Sequence, residues 1–162
     1  MSLKAEFEKI YKTHYPKVIR LCMGYSNGDE ALAKDLAQDV FIKVWQNLES
    51  FRKEAALSTW IYRITVNTCL IQIRKQKKVK LVSQDAMQIS IENETSTKEK
   101  EKHFKELYEC INKLSKTNKA IILLELEDVP QKEIAEIIGI SHQALRTRIN
   151  RIKISLTKCV KK

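Results

Sequence analysis

Gln143, Arg146, Thr147, Arg148, Asn150 and Arg151 crowd into one short stretch near the end of a 162-residue chain. Leu145, Ile149, Ile152 and Leu156 run through the same stretch at i, i+4, i+7 and i+11, the spacing of one helix face turned to a core. The polar side chains are therefore carried outward. Arg and Gln can make bidentate contacts with guanine or adenine edges in the major groove of DNA, and Thr can meet a thymine methyl. Arg146, Thr147, Asn150 and Arg151 are the candidate base readers, with Gln143 in support. Arg148, Lys153 and Lys158 are candidate phosphate contacts, which position a helix without specifying a sequence. What precedes them is suited to hold such a helix. A helix from Gln131 contains Ala135, small enough for a close helix crossing, and Gly139 can take the left-handed conformation that ends it. Ile140 then returns to the core and Ser141 can cap the next helix. This is the recipe of a helix-turn-helix, whose second helix enters the major groove.

The rest of the chain favours the same class of partner. Apolar content is 43%, and there are only three Gly and two Pro, so an all-α fold is expected. The net charge of +10 is unevenly placed. Residues 1–51 are neutral, whereas residues 52–80 carry eight basic side chains against one acidic, and residues 141–162 carry seven basic and none acidic. Two basic patches of this kind can neutralise phosphates and release counterions. Cys22, Cys69, Cys110 and Cys159 form no Cys-x-x-Cys pair and read as free, core-filling thiols of a cytoplasmic protein. No cofactor or metal site is expected: His14, His103 and His142 are scattered, and Asp35 with Asp39 lacks a third acidic partner. An enzyme is accordingly not expected. No apolar run is long enough for membrane insertion.

Helical spacing divides the chain into a first helix or helix pair over residues 3–25, a helix ending at Leu48, a long helix from Leu57 to about Lys78, and a helical C-terminal part beginning with Phe104, Leu107, Tyr108, Ile111 and Leu114 on one face. Ser26 to Asp29 reads as a turn. The expected organisation is two small helical domains, residues 1–78 and 103–162, joined by a linker over residues 79–102, where Ser, Thr and Asn replace the helical stripe.

Two separated blocks resemble a known family. Asp35-Leu-Ala-Gln-Asp-Val-Phe-Ile-Lys-Val-Trp45, followed by Ser58-Thr-Trp-Ile-Tyr-Arg-Ile-Thr-Val-Asn67, looks like the N-terminal domain of a bacterial sigma factor. The helix-turn-helix ending Leu145-Arg-Thr-Arg-Ile-Asn-Arg151 resembles that family's second domain. With these two domains alone, the chain is similar to the extracytoplasmic-function (ECF) group. The resemblance implies a non-catalytic subunit that binds core RNA polymerase and carries it to promoter DNA. Residues 1–78 would bind polymerase and recognise and melt the minus-ten element, and residues 103–162 would read the minus-thirty-five element. It also implies that an anti-sigma factor can occlude both domains, without identifying one.

Under that resemblance, the face of Asp35, Gln38, Asp39 and Ile42 meets the clamp helices of the polymerase, acidic groups around an aliphatic suiting a basic, partly apolar partner. Phe51, Arg52 and Lys53 in a loop, with Trp60, Arg63, Asn67, Arg74 and Lys75 on the helix after it, supply the stacking and basic groups that hold unpaired bases. The loop would form a pocket for a flipped base. Two departures stand out: Ile71 occupies a position where the family commonly has Asp or Asn, and Gln143-Ala144 replaces its Gly-Thr. The alternative is a helix-turn-helix regulator that binds duplex DNA alone, which leaves the second basic patch unexplained.

Overall fold

The computed structural model describes residues 2–51, 56–82 and 98–161, and among them there are seven helices and no strand. The helices are α1 (Leu3–Tyr25), α2 (Glu30–Asn47), α3 (Leu57–Val82), α4 (Lys98–Asn112), α5 (Lys116–Leu126), α6 (Gln131–Ile138) and α7 (His142–Val160). Short polar side chains start four of them. The oxygens of Ser2, Asp29, Ser115 and Ser141 accept from the backbone N–H three residues on, at 3.1–3.2 Å, satisfying donors that a helix start leaves orphaned. The expected single-or-paired first helix is one helix that continues through Pro16. The turn after it uses two left-handed residues, Asn27 and Gly28.

Helices α1, α2 and α3 pack as one group around Val18, Leu21, Leu36, Val40, Val44 and Ile61. Helices α4 to α7 form a second group around Ile111, Ile121, Leu124, Ile134, Leu145 and Ile152. The groups are pressed together, so that their buried side chains make one continuous core. Gly24 of α1 lies close against α5: a Cβ there would strike the Leu123 side chain. Helix α3 lies along α6.

One expectation needs correction, and helix enters the expected linker from both sides. Helix α3 runs to Val82 and α4 starts at Lys98, so the predicted linker loses residues at both ends to helix; residues 83–97 lie outside the described residues. Cys110 and Cys159, expected as free thiols, form a disulfide between α4 and α7 with Cα atoms 6.0 Å apart. Their sequence separation of 49 hid a pairing that only the crossing of the two helices creates. Cys22 and Cys69 are free and buried, as read from the sequence.

Candidate nucleic-acid and partner interfaces

The helix-turn-helix is built as its residues dictate. Gly139 ends α6 with φ +86°, and its N–H and that of Ile140 both donate to the Ala135 carbonyl, at 2.8 and 3.1 Å. Ser141 then caps α7. Leu145, Ile149, Ile152 and Leu156 are buried, which rotates Gln143, Arg146, Thr147, Arg148, Asn150 and Arg151 to the surface, all exposed. Thr147 donates its hydroxyl to the Gln143 carbonyl at 3.3 Å. Lys153 pairs with Glu125 of α5 at 3.6 Å, a partly exposed contact that steadies α7 against its neighbour.

On α2, Asp35, Gln38, Asp39 and Ile42 are exposed together, while Ala37, Val40, Phe41 and Val44 face inward. Ile42 is 46% exposed. Beside it lies a groove of about 800 Å³ between α1 and α2, lined by Phe7, Tyr11, Tyr15, Phe41, Ile42 and Trp45 among others. Its rings are interlocked: Phe7 meets Trp45 edge-on at 5.2 Å between centroids, and Tyr11 meets Phe41 at 4.8 Å. Sequence reasoning missed this groove. The signal was present, since Phe7, Tyr11 and Tyr15 repeat every four residues and Phe41 and Trp45 do the same, but an apolar stripe does not tell whether another element covers it.

Helix α3 presents Arg63, Asn67, Ile71, Arg74 and Lys75 as exposed residues. Trp60 is half-buried and stacks on Phe51, with ring centroids 4.6 Å apart and planes 29° from parallel. Arg52 and Lys53 lie outside the described residues. One side of α3 is occupied by the second helical group. The Arg63 guanidinium donates to the Glu136 carbonyl of α6 at 2.9 Å. Glu133 of α6 accepts from Ser58 and, at 3.0 Å, from Thr59. Arg20 of α1 pairs with Glu127, just past α5. Tyr62, in the middle, has its hydroxyl pushed up to about 12 by burial, with Glu133 and Glu127 adding to the effect. His14 faces Tyr62 edge-on at 6.3 Å, and burial lowers its pKa more than Glu133 raises it.

The family description Sigma-70 region 2 matches residues 10–79, and Sigma-70, region 4 matches residues 104–156. The RNA polymerase sigma factor SigV of Bacillus subtilis is 33% identical over 153 residues, covering 90% of this chain and 87% of the relative. The chain belongs to the ECF sigma factors of RNA polymerase. The ECF RNA polymerase sigma-E factor of Haemophilus influenzae is 32% identical, over 93% of this chain and 85% of that protein. Two solved structures share the fold of this sigma factor. They are the Bartonella quintana sigma factor RpoE in complex with the anti-sigma factor NepR (TM-score 0.72, 20% identity, 96% of this chain and 97% of that one) and CnrH in complex with the cytosolic domain of CnrY (TM-score 0.71, 18% identity, 98% and 89%). As a sigma factor, the chain binds core polymerase and directs it to specific promoters, and the reading as a stand-alone duplex regulator is not favoured. Among the described residues, no helix is long and apolar enough to cross a membrane.

Proposed function

We propose that three separate surfaces divide the work of this sigma factor. The first is the exposed face of α2 with the aromatic groove beside it. Asp35, Gln38, Asp39 and Ile42 receive the polymerase, and Trp45 and Tyr11 extend that surface with apolar area. The exposure of Ile42 and Trp45 side by side carries this assignment, because two large apolar groups with acidic neighbours suit a partner that is both basic and apolar. The second is the outer face of α3 together with Phe51 and the basic loop residues Arg52 and Lys53. Trp60, Arg63, Asn67, Arg74 and Lys75 hold the melted strand of the minus-ten element by stacking, amide contacts and phosphate pairing. The third is α7, where Arg146, Thr147, Asn150 and Arg151 read bases, Gln143 supports them and Arg148 meets phosphate. With its donor spent on the helix, Thr147 has a methyl and an acceptor left for the groove. Residues 1–78 and 103–162 act as the two promoter-binding units, and the protein does this in the cytoplasm without covalent chemistry of its own.

An anti-sigma protein is proposed as the further partner, on the support of a fold neighbour that was solved in such a complex. The assignment of surfaces is tested by run-off transcription with sigma-free core polymerase on fragmented DNA. Discrete starts sharing two upstream motifs are expected. An Ile42→Glu variant should abolish core binding while leaving the melting temperature unchanged, because Ile42 is exposed. Retained core binding by that variant would refute the first surface.

A further inference from the structure

The two cysteine pairs of this chain sit in opposite chemical settings. Cys22 and Cys69 lie in the core of the first helical group, both fully buried, and Cys69 donates to the Cys22 sulfur at 3.8 Å. That hydrogen bond, and burial after it, hold the Cys69 thiol well above its ordinary range. Thiol–disulfide exchange needs a thiolate and an open line of approach, and this pair offers neither. The Cys110–Cys159 pair joins α4 to α7 at the floor of a surface groove, with Cys159 half-buried. Lys113 and Lys158 line the same groove together with Glu106 and Glu109. A disulfide that lines an open groove can be reached by a dithiol, which the buried pair cannot.

The helix held by this bond has little else holding it. Among the described residues of α4, only Cys110 and Ile111 are buried, with Leu107 and Tyr108 half-buried and Phe104 59% exposed. Its main neighbour is α7. The bond thus ties the far end of the promoter-reading helix to the helix that opens the C-terminal group, closing a 49-residue separation. Closing such a loop removes conformational freedom from the unfolded chain and stabilises the folded one.

From this arrangement we infer that Cys110 and Cys159 form a reversible redox clasp, closed under oxidising conditions, that holds α4 on α7 and stabilises the promoter-reading half of the sigma factor. Opening proceeds by exchange with a dithiol. One reductant thiolate attacks the accessible Cys159 sulfur, the S–S bond breaks, and Cys110 leaves as a thiolate that takes up a proton. The reductant's second thiolate then attacks the mixed disulfide and releases Cys159, which is protonated in turn. The dithiol ends as a disulfide and the clasp as two thiols, a two-electron transfer. Glutathione disulfide drives the reverse reaction.

The test uses the full chain, purified with a dithiol and then exposed to glutathione disulfide. Alkylation under denaturing conditions should count four thiols before oxidation and two after, with peptide mapping placing the loss at Cys110 and Cys159. The oxidised form should melt roughly 10 °C higher and keep promoter-directed run-off transcription at temperatures where the reduced form has lost it. Because both forms are the same polypeptide, no variant need fold for the comparison to hold. A C110A/C159A double variant should melt like the reduced form and ignore the oxidant. Four thiols persisting after oxidation would overturn the inference, and so would identical melting of the two forms. Thiol count and melting do not depend on promoter reading, so a failure of transcription alone would count against the α7 assignment and leave the clasp standing.

Discussion

At the scale of single residues, the distinction that matters on α7 is between reading a base and meeting a phosphate. Arg151, proposed as a base reader, lies exposed opposite the buried Leu145 and Ile149 stripe. Arg151→Ala should cost about 1–3 kcal/mol at the preferred promoter and relax preference at one position of the minus-thirty-five element. Arg148→Ala should instead weaken all sequences alike and reduce the salt dependence of binding by about one counterion. A competition assay over a randomised element separates the two patterns, and identical profiles for both variants would refute the assignment. His14 belongs to the same scale. Burial lowers its pKa, with Glu133 opposing and Lys17 reinforcing the shift, so the folded protein prefers the neutral ring. The unfolded chain therefore takes up the proton first as pH falls below the ordinary histidine value. Stability contributed by neutral His14 is present above that value and is lost as pH drops toward the folded pKa. A thermal melt series from pH 7.5 to 5.5 should show a steeper decline for the native chain than for a His14→Gln variant; parallel declines would show that His14 is not the group responsible.

At the scale of elements, the helix-turn-helix was legible because each of its parts is a local rule. Gly139 supplies φ +86°, which a β-branched side chain cannot adopt without strain. Gly139→Val should therefore lower stability by about 1–3 kcal/mol in urea unfolding, although nothing lies within 4 Å of the position a Cβ would occupy. A loss within error would mean the turn tolerates another conformation. What the sequence left illegible depends on packing between distant elements. Phe104 sits on the apolar stripe of α4 with Leu107, Tyr108 and Ile111, yet it is exposed, with no other described helix covering that end. Phe7, Tyr11 and Tyr15 show the converse: their four-residue spacing is visible in the sequence, and the groove left open beside α2 is not. The Cys110–Cys159 bond depends on where α4 crosses α7, which no local spacing encodes. The exposed positions of Gln143, Arg146, Thr147 and Asn150 followed directly from the burial of Leu145 and Ile149, four residues apart on one face.

At the scale of the whole molecule, the two helical groups share a contact that competes with the chemistry proposed for α3. Arg63, assigned to the melted strand, donates its guanidinium to the Glu136 carbonyl, and Ser58 and Thr59 beside it are held by Glu133. Single-stranded DNA and α6 therefore claim neighbouring parts of one face, and α3 can present that face fully only when α6 moves away. None of the donors of these bonds is on α2, so binding to polymerase through α2 does not itself occupy them: Arg20 is on α1, and Ser58, Thr59 and Arg63 are on α3. The Arg20–Glu127 part of the contact is modest, because Arg20 is more than half exposed and a pair of that kind contributes little in water. Opening must also part the apolar side chains that join the two groups' cores. A variant combining Glu127→Ala and Glu133→Ala removes the acceptors for Arg20, Ser58 and Thr59 while leaving every residue assigned to DNA unchanged. It should show a larger radius of gyration in solution scattering than the native chain. It should also bind a single-stranded minus-ten oligonucleotide several-fold more tightly in the absence of polymerase, because the fraction of molecules with α3 uncovered sets the apparent affinity. An expanded variant whose affinity for the strand is unchanged would show that α6 does not shield the α3 face.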